Sequence, residues 1–205
     1  RLVLSNNKLT SLPERFSPFV KLNYLDLSFN EIEYIPGEHT FSDLSKLSYL
    51  SLSNNKLRKI NANVFSSNSR LLNLFFIRLE NNYLSEIPSI QNLSSLVNLN
   101  VSQQNGRLTK LTDFQFRRNM NEDYGPNEMF LLSLGLGFND FEVIAPKTFC
   151  GNNSTTTQSV DIIELSWKTF WSIYSKKSYM LAQLFLAKIV IVDHFEHRGD
   201  SQDVC

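Results

Sequence analysis

Between Leu47 and Ile60 the chain carries a spacing that few folds can satisfy: apolar residues at Leu47, Leu50, Leu52, Leu57 and Ile60, with Asn55 between the third and fourth. The spacing returns at Leu22, Leu25, Leu27, Asn30, Ile32 and Ile35, and again at Leu74, Ile77, Leu79, Asn82, Leu84 and Ile87. A partial copy opens the chain, with Leu2, Leu4, Asn7, Leu9 and Leu12. Asn7, Asn30, Asn55 and Asn82 therefore mark a register with steps of 23, 25 and 27 residues. Self-similarity of this kind belongs to stacked units, none of which can bury its apolar face alone.

Each copy predicts a short strand and a turn. Side chains alternate along a strand, so the leucines of the central Leu-x-Leu point into the stack and the residues between them point out. The asparagine ends the strand, where its side-chain amide meets backbone groups of the turn. Stacked copies then form a parallel sheet over a continuous core. Phe41 and Phe65 fall where the return segment has to fill the far side of that core. Pro13, Pro36 and Pro88 follow the last apolar residue of a copy, where the chain turns away from the sheet.

The next copy is weaker: Leu96, Leu99 and Val101 lead to Gln104. A competing frame of Leu111, Phe114, Phe116 and Asn119 begins too soon for both to be full repeats. The favoured reading keeps Gln104 in register and takes 105–127 as an irregular insertion holding a partial strand, rich in turn pairs such as Asn105-Gly106 and Gly125-Pro126. The pattern resumes at Leu131, Leu134, Leu136, Asn139, Phe141 and Ile144. This divides the chain into 1–149, regular repeats, and 150–205, degenerate repeats or a cap. Two weak strand frames fall in the second part, Val160, Ile163 and Leu165, then Leu186, Ile189 and Ile191. A capping helix over Tyr179 to Val192 stays open beside them, its apolar run shorter than the roughly 20 residues of a membrane span. Seven or eight repeats are expected, in a chain truncated at its N-terminus.

The segments Leu22 to Phe41, Leu47 to Phe65 and Leu131 to Phe149 resemble the typical repeats of extracellular leucine-rich-repeat proteins, among them Toll-like receptors and small leucine-rich proteoglycans. The resemblance implies an α/β solenoid, a curved horseshoe with its parallel β-sheet on the concave face. It also implies a non-catalytic domain that recognises a protein ligand, as part of a cell-surface or secreted receptor. An intracellular (cytoplasmic) adaptor or a structural matrix protein are the alternatives, because repeats are a scaffold and their ligands differ.

Outward residues of the strands form three columns on the sheet. Six residues before each register position come Arg1, Tyr24, Tyr49, Phe76, Asn98 and Ser133; four before come Val3, Asp26, Ser51, Arg78, Asn100 and Gly135; two before come Ser5, Ser28, Ser53, Glu80, Ser102 and Gly137. Adjacent strands lie about 4.8 Å apart, so the rings of Tyr24, Tyr49 and Phe76 should touch. With Asp26, Ser51, Arg78 and Glu80 they make the expected ligand-binding surface, since aromatics and arginine dominate interfaces. Mutual stacking that merely stiffens the sheet is the plainer reading of the same rings.

Four Asn-x-Ser/Thr sequons, at Asn92, Asn100, Asn152 and Asn153, are glycosylation candidates, with Asn100 facing out of the sheet. A sugar there would turn binding toward Tyr24, Tyr49 and Phe76. Cys150 and Cys205 either pair across the C-terminal end or remain apart; two cysteines do not make a disulfide framework or a zinc site. The 20 basic and 20 acidic residues cancel, which argues against nucleic acid as partner. No nucleophile elbow or phosphate loop is present, and Asp193, His194, Glu196 and His197 match no zinc spacing. We therefore expect no enzyme activity, no metal and no cofactor, with any membrane attachment made through a segment outside this sequence.

Overall fold

The computed structural model describes residues 1–61, 63–65, 71–105, 108–112, 131–141, 143–144, 160–165 and 188–191. Ten short strands fall within them: β1 (Leu2–Val3), β2 (Tyr24–Asp26), β3 (Tyr49–Ser51), β4 (Phe76–Arg78), β5 (Asn98–Asn100), β6 (Lys110–Leu111), β7 (Leu131–Gly135), β8 (Val143–Ile144), β9 (Val160–Leu165) and β10 (Lys188–Ile191). Eight of these form one sheet in the order β1-β2-β3-β4-β5-β7-β9-β10, and every pairing in it is parallel. The chain is an α/β-class solenoid of the kind the repeats imply.

The strand frame follows the repeat register. Leu25, Leu50, Ile77, Leu99 and Leu134 are neighbours across the sheet, and all are completely buried. The residues on either side face away from that core: Tyr24 and Asp26 are half-exposed, and Phe76 and Arg78 are exposed. Return segments close the core from behind. Phe41 and Phe65 are buried there as expected, and Phe16 joins them, stacked on Phe41 with ring centres 5.9 Å apart. A short 3₁₀ turn at Ser17–Phe19 brings the first of these segments back toward the sheet.

The register residue does more than end its own strand. Asn55 is buried; its Nδ2 donates to the carbonyls of Leu52 and Ser53, and also to Leu27 in the preceding repeat, at 3.0 to 3.1 Å. Its Oδ1 accepts the backbone N–H of Ile32, also in the preceding repeat. Asn30, Asn82 and Gln104 make the same cross-repeat bonds, to Leu4 and Leu9, to Leu52 and Leu57, and to Leu79 and Leu84. A buried peptide group without a partner is costly. The amide ladder thus satisfies the backbone of one repeat only when the next is stacked on it.

The residue just before each register position is left-handed: Asn6, Phe29, Asn54, Asn81, Gln103 and Phe138 all have φ between 53° and 57°. That conformation throws the chain off the sheet, and asparagine tolerates it best among residues with a side chain. Phe29 and Phe138 occupy it with large exposed rings.

Gln104 holds the register position, bonding Leu79 and Leu84 as Asn82 bonds Leu52 and Leu57. Leu111 does not begin a strand of the main sheet, because β5 pairs directly with β7. Instead β6 pairs with β8 in a separate two-stranded ladder, setting Leu111 beside Ile144. Tyr34 and Lys59 form the equivalent bridge between earlier repeats. Leu108 and Leu111 are buried and take the places that Leu84 and Ile87 hold one repeat earlier, displaced by two residues. The physical reason is Asn105, a second left-handed residue directly after the register position. The bond that should reach two residues further along therefore falls on Gln104 itself, whose N–H donates to Asn139 at 2.9 Å. Phe114, Phe116 and Asn119 lie outside the described residues. Further on, Lys188–Ile191 is a strand and not part of a helix; Ile189 pairs with Ile163 and Ile191 with Leu165.

Candidate functional site on the sheet face

Sheet pairing sets Tyr24 beside Tyr49, Tyr49 beside Phe76 and Phe76 beside Asn98. The rings of Tyr24 and Tyr49 lie 4.4 Å apart with only 3° between their planes. Phe76 continues the row at 6.3 Å from Tyr49, tilted by 42°. At the other end the Arg1 guanidinium sits 4.4 Å from the Tyr24 ring centre, a cation–π contact that caps the stack. Both faces of Tyr24 and of Tyr49 are thereby occupied, so these rings present their edges and hydroxyls outward. Phe76 is 43% exposed.

From β2 to β5 the second and third columns are paired with each other repeat by repeat. Asp26 Oδ1 accepts from the Ser28 backbone N–H at 3.0 Å and from the Ser28 hydroxyl at 2.6 Å. The Ser51 and Ser53 hydroxyls are 3.3 Å apart. Arg78 Nε lies 3.5 Å from Glu80 Oε1, and Asn100 Oδ1 accepts from the Ser102 backbone N–H at 3.0 Å. Residues two apart share a face of a strand, which is why the pairing recurs. Beyond them, Gly135 and Gly137 bring no side chains at the corresponding places on and just after β7.

These local ties decide which expected contacts remain available. Ser51, expected among the ligand-binding residues, is only 2% exposed. Its hydroxyl is used by Ser53 and is also in reach of Tyr49, so it braces the face instead of presenting itself. Asp26 is tied by Ser28. Arg78 remains half-exposed and lies within hydrogen-bonding reach of the Tyr49 hydroxyl. Burial pushes the Tyr49 phenol above its ordinary range, partly offset by the neighbouring Arg78 charge. Burial likewise raises the Glu80 carboxyl, against the lowering pull of a backbone hydrogen bond and Arg78. Glu80 Oε2 is fully covered and, among the described residues, is the one buried side-chain polar atom with no hydrogen-bond partner.

The remaining candidates are spread differently. Asn92 sits in the turn between β4 and β5, half-exposed. Asn100 ends β5 on the open face. Asn152, Asn153, Cys150, Cys205, His194 and His197 lie outside the described residues. Among the described residues no group of three or more His, Cys, Asp or Glu is placed to hold a metal, and no helix is long and apolar enough to cross a membrane. The spacing of the columns foretold the aromatic row. The Arg1 cap and the pairing of second with third column were missed, though the residue-by-residue register contained both.

The sequence model described as Leucine Rich Repeat matches residues 46–68. No curated protein matches the chain in sequence. Among solved structures the chain is similar to Toll in the Toll–Spätzle complex of Drosophila, in its glycosylated form. The TM-score is 0.51 at 19% identity, over 92% of this chain and 28% of that one. The chain thus spans little more than a quarter of that neighbour's length.

Proposed function

Because this chain is a leucine-rich-repeat solenoid, we propose that it is the recognition segment of an extracellular or cell-surface receptor, gripping a protein partner on the open, concave face of its sheet. The observation that carries this reading is the row Arg1, Tyr24, Tyr49 and Phe76, held ring against ring on a rigid sheet. Side chains ordered before binding lose little entropy on binding, and aromatics with arginine are the residues on which interface affinity concentrates. The exposed set is Phe76, the edges and hydroxyls of Tyr24 and Tyr49, and the Arg78 guanidinium; Ser51 and Asp26 support it from within. The likeness to Toll, solved in complex with Spätzle, supports a protein as partner.

The test is to select protein binders of the chain from a displayed library of secreted proteins, then measure their affinity for variants. Tyr49→Ala and Arg78→Ala should each weaken binding about tenfold or more, equivalent to ~1.4 kcal/mol. Tyr34→Ala, exposed but outside the eight-stranded sheet, should change it little. Binding lost with Tyr34→Ala and kept with both sheet variants would place the partner elsewhere and sink the proposal.

A further inference from the structure

Asn100 differs from the other asparagines of the repeat frame in having its amide nitrogen unused. Asn30, Asn55 and Asn82 spend Nδ2 on three carbonyls each. Asn100 commits only Oδ1, to the Ser102 backbone N–H. Among the described residues Nδ2 has no hydrogen-bond partner, and the one buried side-chain atom without a partner there is Glu80 Oε2, so Nδ2 is open to solvent. Asn100-Val101-Ser102 is also a sequon, and Val101 is buried beneath it, so Asn100 and Ser102 share the open face.

The strand beside it is cleared. Asn100 pairs with Gly135, and a Cβ built on Gly135 would collide with Asn100 Oδ1 and stand 2.8 Å from its Cγ. The Asn100 side chain therefore leans over a place where any other residue would collide with it. Gly137 leaves the adjoining third-column place empty as well. Glycine weakens a strand and commonly marks a place where another group approaches the backbone closely. In every earlier column position on the described strands a side chain stands instead.

We propose that Asn100 is an N-glycosylation site whose first sugars lie over Gly135 and Gly137. In the modification, Nδ2 attacks the anomeric carbon of an oligosaccharide carried on a polyprenyl pyrophosphate. The N–C bond forms as the C–O bond breaks, the lipid pyrophosphate leaves with the electron pair, and a base on the transferase takes the proton from Nδ2. A glycan so placed covers the β5–β7 part of the face and leaves the aromatic row of β2 to β4 as the contact surface. The inference rests on the extracellular part of the proposed function.

The full chain, secreted from eukaryotic cells behind a heterologous signal sequence, is mapped by mass spectrometry before and after a peptide N-glycosidase that converts each sugared asparagine to aspartate. The expected result is conversion at Asn100 in most molecules, lost in Ser102→Ala while Asn92 remains modified. Native protein should release the Asn100 glycan several-fold more slowly than denatured protein. Modification at Asn92 with Asn100 bare overturns the inference and leaves the receptor reading standing. No sugar at either position removes both. Equal release from native and denatured protein overturns the seat over Gly135 and Gly137.

Discussion

Tyr24 and Tyr49 lie on adjacent parallel strands with ring centres 4.4 Å apart and planes 3° from parallel, and Arg1 closes the outer face of Tyr24. Their backbones sit over fully buried leucines, Leu25 and Leu50, so the rings are held from below but are not part of the core. Tyr49→Ala should accordingly cost only the stacking and the covered edge, about 0.5–1.5 kcal/mol, and leave cooperative unfolding intact. Urea unfolding monitored by circular dichroism checks it. A loss above about 3 kcal/mol would show that the ring packs as core, and that the outward register of the first column is wrong.

Asn55 makes a sharper claim on stability than any surface ring. Removing its side chain leaves the Ile32 N–H without its acceptor in the interior, and takes one of two amide donors from the Leu27 and Leu52 carbonyls, which keep Asn30 and Asn82. One abandoned buried donor costs about 1–3 kcal/mol and the weakened carbonyl bonds add to it, so Asn55→Ala should lose about 2–4 kcal/mol. The measurement is the unfolding midpoint at constant denaturant slope. A loss under about 1 kcal/mol would mean that water enters the ladder and takes over the amide's bonds.

Whether a feature of the fold is legible in the sequence depends on whether its interaction is local along the chain. The leucines of β2, β3 and β4 announce themselves because burial alternates residue by residue within each repeat. The second bonding role of Asn30, Asn55 and Asn82 is silent in any one repeat, since its partners lie 21 to 30 residues away. Leu108 and Leu111 join the core although they fall in the stretch read as an insertion, because Asn105 shifts the core pair by two residues and a fixed template cannot follow a shift caused by one backbone angle. On the candidate site, the column assignment was legible from strand period alone. That Ser51 is covered, and that Asp26, Ser51, Arg78 and Asn100 are tied to the third column, depends on side-chain directions that period does not specify.

Gly135 and Asn100 are coupled by a contact that can be measured without any sugar. Gly135→Ala in unglycosylated protein forces the Asn100 side chain off its position and breaks the Oδ1 bond to Ser102. The expected cost is about 1–2 kcal/mol, from overpacking and one lost hydrogen bond. In an Asn100→Ala background the obstacle is gone, and the same glycine substitution should be close to neutral. A double-mutant cycle by urea unfolding reads the difference directly. Additive costs would show that Asn100 does not lean over β7.

Glu80 gives the face a pH dependence whose sign follows from its surroundings. Its carboxyl is held up chiefly by burial, with Oε2 covered and unpartnered, while Arg78 and a backbone hydrogen bond pull it down only in part. A raised folded-state carboxyl means the folded chain holds its proton at a pH where the unfolded chain has lost it. Stability contributed by this group is therefore greatest when both states are protonated, below the unfolded value of about 4.3, and declines as pH rises through the folded value. Glu80→Gln keeps the shape and removes the charge. It should stabilise the protein by about 1 kcal/mol at pH 7, and that advantage should vanish toward pH 4. Paired unfolding curves across this range decide the matter. If the glutamine variant is instead less stable at pH 7, the Arg78 attraction outweighs desolvation, and Glu80 belongs to a net-favourable ion pair on the sheet.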